Sequence, residues 1–157
     1  MKWLLLMMLA AAFPAFANND VQDYIAGLQN ASHKCESMAS EITLSRHLAD
    51  MLQKQQEWNY GTPRTGPDFA SAQNSVNQLD ACKKDAQVNG SAIYKKYLSK
   101  IKTAKISDDA KSVFIAWLAN LHNVHIHASM DDELKKTDEQ TVLNEAESEL
   151  QADALTQ

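Results

Sequence analysis

The stretch Ser107-Asp108-Asp109-Ala110-Lys111-Ser112-Val113-Phe114-Ile115-Ala116-Trp117-Leu118-Ala119-Asn120-Leu121-His122-Asn123-Val124 decides the fold class. Val113, Phe114, Trp117, Leu118, Leu121 and Val124 recur at helical spacing, so they form one face of an α-helix. Ser107, Asp108 and Asp109 make a start signal, because oxygen acceptors and negative charge suit the unpaired N–H groups of a first turn. From Ser112 to Met130 there is no Asp, Glu, Lys or Arg. A helix with so little charge is expected to be surrounded on most sides by other elements.

The flanking sequence supplies helices to surround it. Upstream, Asp20 is placed to cap a helix carrying Val21, Tyr24, Ile25, Leu28 and Ala31. The next apolar face continues through Cys35, Met38, Ile42, Leu48, Met51 and Leu52. Gly27 and the segment Asn30 to Ser32 are candidate breaks in this span. Trp58 to Pro67 holds two Gly and two Pro with little periodicity and reads as a loop. Asp68 then caps a helix with Phe69, Ala72, Val76, Leu79, Cys82 and Ala86 on one side, and Asn89-Gly90 is a stop signal. A short helix follows on Ile93, Tyr94, Tyr97, Leu98 and Ile101. Beyond Met130, Thr137 to Gln140 fits a capping box for a last helix with Val142, Leu143, Ala146 and Leu150. No alternating strand pattern competes. The expected fold is all-α: a compact bundle of five or six helices with one disulfide, in a single domain over residues 18–157.

Residues 1–17 are expected to be a secretory signal peptide. Lys2 gives a basic start, Trp3 to Ala12 is nearly all apolar, and Ala15-Phe16-Ala17 is a small-residue cleavage site. The apolar run is shorter than the roughly 20 residues that span a membrane, so no stable membrane anchor is expected. The destination is periplasmic or secreted. An oxidising destination and an even cysteine count predict a Cys35–Cys82 disulfide.

Composition excludes several classes. In 157 residues, 45% are hydrophobic and 22% charged, with only 4 Gly and 3 Pro, which rules out a collagen-like fibre and argues against wholesale disorder. The formal net charge of -5 disfavours a nucleic-acid partner. Charge is segregated along the chain: residues 83–111 carry eight lysines against three aspartates, and residues 131–157 carry nine acidic residues against two lysines. Two solvated faces explain this pattern most simply, and a basic patch for an acidic partner is the alternative.

Two places carry candidate function. Trp58, Tyr60 and Arg64 are residue types enriched at interface hot spots, held in a proline-restrained segment, and they are the candidate partner-binding residues. His122, His125 and His127 fall within six positions. On an unbroken helix His122 and His125 share a face and can hold Zn or Cu, with His127 turned about 160° away from His125; if the helix frays after Val124, His125 and His127 face one way instead. There is no G-x-S-x-G and no phosphate-binding glycine loop. The expected function is therefore protein–protein binding by an exported helical protein of inhibitor, immunity or secretion-accessory type. A metal-binding protein using His122 and His125 is one alternative, and an enzyme with an unrecognised site is another.

Overall fold

The structure is a computed structural model that describes residues 14–60, 69–125 and 130–156, with side chains described for 19–52, 54–55, 73–125 and 137–156. Four helices make up these residues: α1 Pro14–Tyr60, α2 Phe69–Leu98, α3 Ala104–Asn123 and α4 Met130–Leu155. The class is all-α, and the count is four rather than five or six.

The two missing breaks have physical causes. A Cβ built on Gly90 would lie 2.2 Å from Cη2 of Trp117 and 2.4 Å from its Cζ3. Gly90 therefore lets the α2 backbone sit against the indole ring of α3, and α2 runs straight through it. A Cβ on Gly27 would meet Ile93 Cγ2 at 3.2 Å, so the first glycine also marks a close approach, of α1 to α2. Ser32 is buried and its hydroxyl donates to the Gln29 carbonyl at 3.2 Å, a bond made without interrupting the helix.

Helix starts also move upstream. α3 begins at Ala104 behind Thr103, which has extended dihedrals of φ -109° and ψ 137°, so Asp108 and Asp109 lie in its second turn and not at its cap. Asp20 lies within α1, where it pairs with Lys100 instead of capping. The capping box at Thr137 lies inside α4, whose Thr137 carbonyl accepts from the Thr141 hydroxyl at 2.9 Å. Asp68 lies outside the described residues.

Contacts along the helices establish the topology. Tyr24 stacks on Tyr97 at 4.4 Å, and Cys35 is bonded to Cys82, so α1 and α2 run antiparallel. Tyr94 stacks on Phe114 at 4.5 Å while Lys83 reaches the carbonyls of His122 and Val124, which makes α2 and α3 antiparallel. Lys105 meets Asp153 and Asn120 meets Gln140, so α3 and α4 are antiparallel as well. α4 returns to α1 through Gln29 and Glu147, closing an up-down-up-down bundle.

α3 buries one face and leaves the other in solvent: Ser112, Ile115, Ala119 and His122 are exposed, so the helix is not surrounded on most sides as its low charge led one to expect. Ala110, Val113, Trp117 and Leu121 are all 1% exposed or less, and they join Val21, Tyr24, Leu28, Cys35 and Leu150 in one core cluster. The hydroxyl of Tyr24 donates to the Ala110 carbonyl at 2.9 Å, which satisfies the buried phenol. Burial and the neighbouring Tyr94 and Tyr97 rings push its pKa well above the ordinary tyrosine range. The Cys35–Cys82 disulfide has a Cα–Cα separation of 5.7 Å and closes across 47 positions of sequence. Among the described residues, no helix is long and apolar enough to cross a membrane.

Candidate partner-binding surface

The disulfide sets the register of α1 against α2. Phe69, the first residue of α2, stands as far before Cys82 as Leu48 stands after Cys35. Both helices rise equally per residue, so α2 begins level with about Leu48, and α1 continues roughly 18 Å further to Tyr60. The distal part of α1 thus overhangs the helix it pairs with.

Exposure follows from that register. Every described side chain from Leu44 to Gln55 is exposed. Leu44 is 61% exposed, Leu48 47%, Met51 56% and Leu52 60%. The apolar face read through Leu48, Met51 and Leu52 therefore lies in solvent at this end of α1. Their helical period is real, but among the described residues no element covers it. These four residues span an arc of about 100° on α1, and Arg46 and Asp50 fall on the opposite side. Asp50 and Lys54 form an ion pair at 2.8 Å along the helix. The result is an uncharged apolar stripe backed by charge.

The stripe has a further regularity. Leu44, Leu48, Met51, Gln55 and Trp58 follow one another at steps of four, three, four and three, the spacing of a helix–helix seam. Trp58 and Tyr60 belong to the last turn of α1, not to the loop expected there. Their side chains, and the whole of Arg64, lie outside the described residues. The backbone does place Trp58 in register with the stripe.

The histidine cluster is arranged differently from the expected helical pair. α3 ends at Asn123, and Val124 is extended with φ -62° and ψ 107°. His122 is exposed in the last turn, whereas His125 lies beyond the helix end, half-buried, with Nδ1 against the Asn123 carbonyl. The single helical face assumed for His122 and His125 is therefore absent. The carbonyls of His122 and Val124 accept from Lys83 Nζ at 2.8 and 2.9 Å, so a lysine of α2 caps α3. A dimple beside His125, lined by Ala39, Asn120, Asn123 and Gln140, has about 10 Å³ of free volume, no more than one water needs. No group of three metal-ligating side chains occurs among the described residues. His127 lies outside them.

The basic and acidic segments meet at the surface of the bundle through Lys105 and Asp153. Lys100 pairs with Asp20, and Lys105 with Asp153 at 2.7 Å, while Lys83 serves as the cap. Glu147 accepts from Gln29, yet burial raises its pKa above the usual carboxylate range. The basic segment 83–111 thus gives three of its lysines to contacts between helices. The chain matches no protein-family model, no curated protein and no solved structure.

Proposed function

We propose that the protein is exported and acts by binding another protein, into whose apolar groove it inserts the distal half of α1. The observation that carries this reading is the exposed stripe Leu44, Leu48, Met51 and Leu52 on a helix that outruns its partner. Apolar anchors at i, i+4, i+7 and i+8 are the pattern by which an amphipathic helix is recognised in a groove. A projecting helix is convex, so its complement is concave. The absence of charge within the stripe asks for an apolar lining. Trp58, in register at the far end, and Arg64 beyond it extend the proposed surface. Export rests on the leader-like residues 1–17 and agrees with the disulfide; intact-mass measurement of the native protein should start at Asn18.

Site-specific photo-cross-linking tests the binding reading. A photoreactive residue at Leu48 should capture one defined protein from the source cell envelope. The same group at Val88, an apolar position on α2 that is more exposed still at 69%, should not. The variant Leu48→Glu/Met51→Glu should bind that protein at least tenfold more weakly while keeping its helical circular dichroism. Equal capture from both positions, or unchanged affinity of the double variant, would remove the proposal. Capture of a second copy of this chain would replace the groove with a self-association seam.

A further inference from the structure

At the end of the bundle away from the overhang, α3 and α4 meet through carboxyl groups. Lys105 Nζ lies 2.7 Å from Oδ1 of Asp153. The other oxygen of Asp153 and Oδ2 of Asp109 are both sealed from solvent, and neither has a hydrogen-bond donor among the described residues. Asp109 follows Lys105 by one turn of α3, so the face that reaches Asp153 also carries the Asp109 carboxyl, and the two carboxyl groups interact. Two sealed carboxylate oxygens placed together are unfavourable twice over, since each has lost its water and the charges repel. One proton between them removes both penalties, because a neutral carboxyl donates and its partner accepts.

We propose that Asp109 and Asp153 share one proton, and that this O–H···O bond is a pH-dependent latch holding the C-terminal turn of α4 on α3. Asp109 is the member that carries the proton. Burial raises its pKa first, then the hydrogen bond with Asp153 and the charges of Asp153 and Glu149, while Lys105 opposes the shift. Asp153 moves the other way, since the bond from Lys105 holds it ionised. Tyr97 and Lys105 beside the pair keep their charge state across this range. Tyr97 of α2 is pushed up to about 12 by burial and by the charges of Asp20 and Asp109, so it stays neutral. Asp20 of α1 is tied to Lys100. Lys105 is raised further by its bond to Asp153 and stays charged.

The sign follows from proton binding. Asp109 in the folded chain takes up a proton at a pH where the unfolded chain does not. Lowering the pH from neutral through its raised value therefore stabilises the fold. Below the ordinary aspartate range Asp153 is protonated too, the bridge to Lys105 is lost, and stability falls again. This end of the bundle is tightest in mildly acidic solution.

Thermal unfolding of the chain with its disulfide intact, followed from about pH 7.5 down to the ordinary aspartate range near about pH 4, tests the latch. The wild-type midpoint should rise as the pH falls toward that range. Asp109→Asn offers a permanent N–H donor to Asp153, so it should melt above the wild type at the neutral end and lose most of the rise. Glu147→Gln is the control, because Glu147 is also raised by burial and contributes in the same direction. It should leave the contribution of Asp109 in place. An Asp109→Asn variant that melts below the wild type at the neutral end, or keeps the whole rise, overturns the latch. Carboxyl carbon NMR of the wild type gives an answer that needs no variant. Asp109 should titrate above the ordinary aspartate range, and titration within or below that range overturns the latch.

Discussion

Gly90 shows how one residue can carry opposite meanings. In an isolated helix Gly90→Ala would gain about 1 kcal/mol from propensity. Here the added methyl would stand 2.2 Å from the indole of Trp117, itself 1% exposed and closed in by the core. Overpacking of this kind destabilises by about 1–3 kcal/mol. Urea denaturation of Gly90→Ala should therefore show a loss of stability. A gain would mean that the ring moves aside freely and that Gly90 is only a weak point in α2. The sequence marks the glycine but is silent on the ring, because Gly90 and Trp117 are brought together only when α2 docks on α3.

At the scale of the element, α1 is one helix with two environments. Its first half is core: Val21, Tyr24 and Leu28 are each 2% exposed or less. Its second half carries the same apolar period into solvent. Leu28→Ala should cost about 2–5 kcal/mol, through lost burial and the cavity left behind. Leu48→Glu should change stability by no more than about 0.5 kcal/mol, because it removes no packing seen among the described residues. Chemical denaturation of the two variants compares the halves directly. A large loss for Leu48→Glu would place a covering segment over the stripe and take it out of the binding proposal. Periodicity alone does not separate the two halves, since it reports a face and not what lies against it. The register does separate them: a disulfide at Cys35 and Cys82, with α2 starting at Phe69, leaves the end of α1 unmatched.

Over the whole molecule, the disulfide and the core divide the task of holding four helices together. The bridge constrains a loop closed over 47 positions, and chain entropy gives it about 4 kcal/mol. Replacing both cysteines with Ala should lower the unfolding free energy by up to about that amount, read from denaturation under non-reducing conditions. No measurable loss would assign the hold between α1 and α2 to Tyr24, Tyr97 and their neighbours alone. The amino-acid sequence by itself determined the helical class, the apolar faces and the cysteine pair, because each depends on local period, composition or an even cysteine count. It also marked Trp58 as a candidate contact, though in a loop and not at the end of a helix. Only the tertiary structure decided that Gly27 and Gly90 continue their helices, that His122 and His125 part company at the end of α3, and that Leu48, Met51 and Leu52 face outward. The reason is the same in each case. Whether a glycine breaks a helix, a histidine pairs or a leucine is buried depends on the surface that arrives from elsewhere in the chain, and local sequence does not encode that arrival.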